Sequence, residues 1–267
     1  MTSEAAGNRI TTWIGSSTPD SITVGGRDLP SELMGSTTLT ELTYLLVTRR
    51  QPSMGQRRLL DAVLVSLADH GLTPSALAAR LTYTGAPEAI QGAVAAGLLG
   101  AGSVLLGPAG DTALFLAGAM PDSHEDAALR QAAANAVEAR RRAGLRVPGL
   151  GHPVHRVEDP RTPRLYALAE EEGVLGPHMR MLGFVADVQT EATGRHLPIN
   201  GAGAAGAALV DIGIPPGSVR GIVLVARTAG LVAHLTEEAE EPIGMALWHD
   251  AEGRAEPPDG PSVSPST

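Results

Sequence analysis

The stretch PGLGHPVHRVEDPRTPR, residues 148 to 164, places two histidines, three arginines and two acids behind a Pro-Gly-Leu-Gly turn. The rest of the chain is dominated by alanine, glycine, leucine and valine, so this loop is its densest chemistry. Imidazole donates, accepts and moves protons near neutral pH, and guanidinium pairs with carboxylate or phosphate in bidentate geometry. A loop that sets His152 and His155 beside Arg156 and Arg161 therefore suits an anionic ligand. The plainer alternative is a solvated surface loop.

The remaining histidines divide by context. His70 stands just before Gly71 at the end of a helical pattern, where it serves a ligand or simply sits on the C-terminal helix dipole. His234, in GLVAHLTEE, follows a strongly apolar half-helix and reads as a core or boundary histidine. His124, His178, His196 and His249 lie in polar surroundings and read as surface residues. No histidine pair has the helical H-x-x-x-H or H-E-x-x-H spacing of a metal site, so no metal is expected. GAGAAG at 201–206 looks like a fragment of a dinucleotide fingerprint. No strand precedes it and no acid follows at the right distance, so it reads as a close-packed helix start.

The elements that must hold these residues are helices. The chain has 267 residues, 43% of them hydrophobic and only 3% aromatic, so its core must be built from small aliphatic side chains that let helices approach closely. TLTELTYLLVTRR carries Leu39, Leu42, Leu45 and Leu46 at spacings of three and four. SMGQRRLLDAVLVSLADHG continues with Leu59, Val63 and Leu67 and is expected to end on a glycine cap, and TPSALAARL restarts with Pro74 in its first turn. Further helices are predicted at 124–145, 161–173, 176–193, 199–212 and 217–238, between Gly and Pro signals. SITVGG is the one candidate hairpin arm, and the proline-rich end from 249 to 267 is expected to be disordered.

Charge and composition exclude other classes. A net charge of −9 provides no basic field for nucleic acid or an anionic membrane. With no cysteine there are no disulfides, thiolate nucleophiles or zinc-cysteine sites, which fits a cytoplasmic protein. The first ten residues lack the pattern of a signal peptide. Residues 89–110 carry no charge, but six glycines and a proline interrupt them, so a glycine-broken core helix is expected rather than a membrane span.

GLGHPVHRVEDPR resembles the G-x-G-H-x-V-x-x-x-x-D-P-R signature of the citrate synthase superfamily, in the short form of citryl-CoA lyases and of the citryl-CoA-cleaving module of ATP-citrate lyase. LADHGLTPSALAARL is similar to that family's A-D-H segment, and GIVLVARTAGLVAHLTEE to its late A-R-T-x-G-x-x-A-H helix. The resemblance spans about residues 20 to 248. It implies an all-α, two-lobed subunit: a large helical domain from about 20–145 and 205–248 and a small one from about 146–204, flanked by an extension over 1–20 and the tail. It further implies a homodimer acting on a coenzyme A thioester and a keto acid, with no covalently bound cofactor. In that frame His70 holds a carboxylate or carbonyl oxygen of the keto acid, and His152 gives or takes the proton at the reacting carbon. Arg161 and Arg227 clamp substrate carboxylates, and Arg156 faces the phosphates of coenzyme A.

Three positions depart from the family. Its enolising histidine and aspartate are replaced by Leu106, in LLGPAG, and Ala202, in PINGAGAAG, and neither side chain moves a proton. Loss of a general base costs a Claisen condensation roughly 10²- to 10⁴-fold. Glu241 stands where an arginine commonly reaches a substrate carboxylate. Three readings follow: a citryl-CoA lyase-like enzyme working by retro-aldol cleavage, a divergent enzyme on another acyl-CoA or keto acid with fewer carboxylates, and a silent protein that binds the thioester without turnover.

Overall fold

The computed structural model describes residues 11–104 and 106–256. They form eleven α-helices and one small sheet, an all-α architecture as expected. The sheet is an antiparallel meander of β1 (Gly15–Ser17), β2 (Ile22–Val24) and β3 (Arg27–Asp28). Val24 pairs with Arg27 across Gly25 and Gly26, whose φ values of 59° and 75° suit the two-residue hairpin turn that glycine favours. SITVGG is thus a hairpin arm, and part of the supposed extension over 1–20 is folded into the sheet.

The chain divides into two compact units. The first consists of the described parts of Met1–Leu67 and Ser103–Val223, and the second of those of Ala68–Gly102 and Leu224–Thr267. This differs from the boundaries expected from the sequence, which set 146–204 apart as the smaller lobe. That segment packs instead into the first unit, through helices α7 (Arg161–Glu171), α8 (Pro177–Thr193) and α9 (Gly201–Asp211).

In the first unit α1 (Leu39–Thr48) opens with a reciprocal cap between Thr38 and Glu41 and buries Tyr44 and Leu45, while Leu39 stays exposed. Helix α2 (Met54–Ala68) buries the expected stripe of Leu59, Val63 and Leu67. It ends at Ala68 rather than on Gly71, so His70 lies beyond the helix in a loop. Helices α5 (Gly107–Ala119) and α9 pack face to face, as do α6 (Asp126–Arg142) and α8. Contact between α5 and α9 is close enough that a Cβ on Gly206 would strike the Ala109 carbonyl oxygen, and on the same helix one on Gly203 would lie 2.5 Å from Cα of Gly149 in the loop after α6. The GAGAAG run is therefore the close-packed helix start read from the sequence.

The second unit packs α3 (Pro74–Gly85) against α4 (Ile90–Gly100), with Ala79 and Ala93 meeting Leu231 and Leu235 of helix α10 (Val219–Glu240). Gly97 admits the Leu231 side chain, where a Cβ would come within 2.7 Å. The uncharged stretch 89–110 is split between α4 and α5, and α4, at 11 residues, is too short to span a bilayer. Pro216–Glu240 is long and apolar enough to do so by length and composition alone, yet it buries Val219, Ile222 and Val223 in the first unit and Leu231 and Leu235 in the second. Helix α11 (Gly244–Gly253) carries regular structure into the region expected to be disordered, and 257–267 lie outside the described residues.

Candidate functional site

The histidine loop follows α6 and is tied down at its glycines. Gly149 and Gly151 have φ values of 83° and 78°, so the Pro-Gly-Leu-Gly turn uses conformations that other residues resist. Leu150 bridges Ile199, Gly151 N–H donates to the Pro198 carbonyl at 2.7 Å, and Asn200 N–H donates to that of Gly149 at 2.9 Å. The Asn200 side chain joins loop and helix. Its Oδ1 accepts from Gly203 N–H at 2.8 Å and caps α9, and its Nδ2 donates to the Gly151 carbonyl at 2.8 Å.

His152 leaves this anchored turn directly. Its Nδ1 accepts from the backbone N–H groups of Val154, at 3.1 Å, and His155, at 3.0 Å. Two donors on one ring nitrogen assign the proton of the neutral imidazole to Nε2, which is thereby a hydrogen-bond donor. The His155 ring stacks on it with centroids 4.5 Å apart. His196, read from the sequence as a surface residue, tethers the far half of the loop by donating from Nε2 to the Val157 carbonyl at 3.1 Å.

Asp159 closes the loop against α9. It is fully buried and accepts from Arg161 at the backbone N–H (3.1 Å), Nε (3.0 Å) and Nη2 (2.8 Å), and from Gly201 N–H at 2.7 Å. Burial alone would raise its pKa, but the hydrogen bonds from Arg161 and Gly201, together with the Arg161 charge, hold the carboxyl far below its ordinary value. Gly201 is glycine because a Cβ there would strike the Arg161 guanidinium. Arg161, expected to clamp substrate, is thus paired first with Asp159, with Nη1 also 3.4 Å from the Ser66 carbonyl oxygen.

A cleft of about 770 Å³ opens beside His152. Arg141, Arg146, Arg156 and Arg195 line it with His152, His196 and Gln189, and none of its lining residues is acidic. Arg141 is partly neutralised by Glu138 at 2.7 Å. Clustered guanidiniums without carboxylates favour a polyanion such as a phosphate ester. The structure brings His152 and Arg156 to this one cleft. Sequence reasoning missed Arg146 and Arg195, whose signals were the arginine-rich end of α6 and GRHLP before the next turn.

The departing positions lie at two helix starts of this unit. Leu106 is buried immediately before α5, and Ala202 is half-buried in the first turn of α9. In the second unit, His70 is exposed between Asp69 and Gly71, and Arg227 is buried on α10. Glu241 is exposed just past the end of α10.

Comparison with known proteins agrees with this geometry. Residues 19–245 match the family described as citrate synthase, C-terminal domain. The citryl-CoA lyase of Hydrogenobacter thermophilus superposes with a TM-score of 0.84 and 28% identity, covering 96% of each chain. ATP citrate lyase of Methanothrix soehngenii, solved with citrate and coenzyme A, gives a TM-score of 0.77 at 21% identity over 97% of this chain and 43% of its own, a likeness of fold. A Mycobacterium tuberculosis protein named "Putative citrate synthase 2" is 29% identical over 203 residues, 74% of this chain and 52% of that protein. The chain thus spans about half the length of the curated relatives it matches. With a single family model covering both units and the histidine loop, the chain belongs to the citrate synthase family.

Proposed function

We propose that this protein is a carbon–carbon lyase of the citryl-CoA lyase kind, cleaving or forming the bond between an acyl-CoA and a keto acid. The observation that carries the reading is His152, which lines an arginine-rich cleft with its Nδ1 held by two backbone N–H groups, in a chain that superposes on a citryl-CoA lyase over nearly its whole length. The cleft supplies counter-charge for the phosphates of coenzyme A, with Arg156, Arg146 and Arg195 as donors. His152 then meets the oxygen at the reacting carbon.

The tautomer decides what His152 does. In cleavage, the bond between the carbinol carbon and the thioester α-carbon breaks, its electron pair passing to the thioester enolate as the carbinol oxygen becomes a ketone. Taking the hydroxyl proton at Nε2 requires a bare Nε2 and a proton on Nδ1, which would face the N–H groups of Val154 and His155. His152 is better suited to donate from Nε2 to the carbinol or ketone oxygen, stabilising the charge that develops there, while solvent water takes the hydroxyl proton and a proton from water adds to the α-carbon of the enolate, giving ketone and acyl-CoA. His70 and Arg227 contribute a carboxylate ligand and a counter-charge, and Arg161 contributes the N–H groups that Asp159 leaves over. Glu241 favours a substrate with fewer carboxylates than citrate. The protein works as a homodimer, a reading supported by exposed Leu39, Met54 and Val65 on α1 and α2, and the absence of cysteine supports a cytoplasmic setting.

Leu106 and Ala202 favour a second reading, a protein that binds the thioester without turning it over. One assay separates the two: citryl-CoA is mixed with the protein, and oxaloacetate and acetyl-CoA are followed by mass spectrometry, with His152→Ala as control. Release of both products that vanishes in the control supports the lyase. Intact citryl-CoA, with coenzyme A bound in calorimetry, removes citryl-CoA as the substrate, and the same assay with thioesters bearing fewer carboxylates then separates a divergent enzyme from the binding protein.

A further inference from the structure

Inside the second unit a chain of polar side chains runs from Glu238, buried near the C-terminal end of α10, to the loop that carries His70. Arg80, on α3, is 2% exposed. It pairs with Glu237, donates from Nη1 to Glu238 at 3.0 Å, and donates from Nε to Nδ1 of His234 at 3.3 Å. Glu238 is itself fixed by Gly244 N–H at 2.7 Å, Ile243 N–H at 3.0 Å and the Thr84 hydroxyl at 3.3 Å, so Arg80 cannot swing away without unpairing a buried carboxylate. An arginine donating to Nδ1 assigns the His234 proton to Nε2. That nitrogen lies 2.8 Å from Asp69 Oδ1, while Asp69 Oδ2 accepts Gly71 N–H at 2.7 Å.

This arrangement explains how a residue past the end of a helix keeps a defined place. A Cβ on Gly230 would strike the Ala68 carbonyl oxygen, so α10 passes directly beside the residue that precedes Asp69. The next three residues leave the helix, and Gly71 turns the chain with φ at 74°. Asp69 bonds on both sides of His70 in sequence, to Gly71 locally and to His234 across 165 residues. Burial would raise the Asp69 pKa, but the hydrogen bonds from Gly71, His234 and His70 outweigh it and hold the group as a carboxylate.

We propose that His234 is a positioning residue for His70: with its tautomer fixed by Arg80, it grips Asp69 from Nε2, and Asp69 sets the backbone from which the His70 imidazole reaches the keto-acid portion of the substrate. The inference rests on the reading of His70 as a substrate ligand, and it gives a role to a histidine that its sequence context reads as a core or boundary residue.

The test compares His234→Leu, which removes the donor, with His234→Gln, whose amide nitrogen reaches the place of Nε2. Both are made in the full chain, with His70→Ala as reference. Hydrogen exchange of the Gly71 amide reports the loop, and oxaloacetate binding by calorimetry, with KM and kcat for citryl-CoA, reports the ligand. His234→Leu is expected to speed Gly71 exchange and to weaken oxaloacetate roughly tenfold, in the direction of His70→Ala, while His234→Gln stays within about twofold of the parent. Asp69→Ala, at a half-exposed position, must move the same readouts if His234→Leu fails to fold. Gly71 exchange and oxaloacetate affinity unchanged in His234→Leu, or in Asp69→Ala, would overturn the proposal. If the parent protein binds no oxaloacetate, the ligand role of His70 falls, and Gly71 exchange alone still decides whether His234 orders the loop.

Discussion

Replacing Asp159 by asparagine tests how the histidine loop is held. The carboxylate is buried and accepts four hydrogen bonds, two at each oxygen: Arg161 N and Nε at Oδ1, Arg161 Nη2 and Gly201 N at Oδ2. Asparagine keeps one acceptor and turns the other into a donor, so two N–H groups lose their partner whichever way the amide is set. It also strips the counter-charge from Arg161. Breaking a buried ion pair on one side costs about 3–5 kcal/mol, and because the Arg161 side chain is 21% exposed and reaches water, the lower end applies. About 3 kcal/mol lowers the melting temperature by roughly 6–12 °C for a chain of this size. The pH dependence supplies the second arm. A carboxyl depressed in the folded state binds fewer protons there than in the unfolded chain, so its stabilisation is complete above the unfolded value near ~4 and is lost as pH falls towards the folded value. The gap between parent and Asp159→Asn in urea unfolding should therefore stay constant from pH 7 to 5 and narrow below about 4. A variant within about 0.5 kcal/mol of the parent at pH 7, or a gap that persists unchanged at pH 3, would refute the assignment of Asp159 as the clasp between loop and α9.

Replacing both Arg146 and Arg195 with glutamine should weaken coenzyme A binding by about 10- to 100-fold and flatten its dependence on KCl, because two charge-assisted phosphate contacts are removed; calorimetry over a salt series checks this. Gly206→Ala forces a methyl against the Ala109 carbonyl oxygen and should cost about 1–3 kcal/mol in thermal unfolding, whereas Gly217→Ala, with nothing within 4 Å, should cost far less. Introducing a histidine and an aspartate with Leu106→His and Ala202→Asp should raise condensation of acetyl-CoA with oxaloacetate by roughly 10²-fold or more, read as formation of citryl-CoA, and of citrate where it hydrolyses, by mass spectrometry. No gain would mean that these two helix starts do not face the reacting carbon. Glu241→Arg should speed citryl-CoA turnover if Glu241 repels a third carboxylate, and unchanged rates would remove that residue from the specificity argument.

The parts of this molecule that were legible in its sequence are those whose cause is local. Gly and Pro punctuation located α6 to α10 to within a few residues, because capping and the loss of an N–H act over one turn. The end of α2 was misjudged: the helix stops at Ala68, whose carbonyl oxygen packs against Gly230 of α10, a contact far away in sequence. The same division runs through the site. His152 and Arg156 stand four residues apart in one loop, and their shared cleft was readable from that spacing. The groups that hold them were not: Asn200 reaches Gly151 across 49 residues and His196 reaches Val157 across 39. Arg161 shows the limit most sharply. Its charge and its place in a family motif both suggested a substrate clamp, yet its first partner is Asp159, two residues away, and the pairing exists only because Gly201 leaves room for the guanidinium. A glycine read correctly as close packing therefore also decides how much of an arginine is left for the substrate, and that link passes through a contact that no local pattern in the sequence displays.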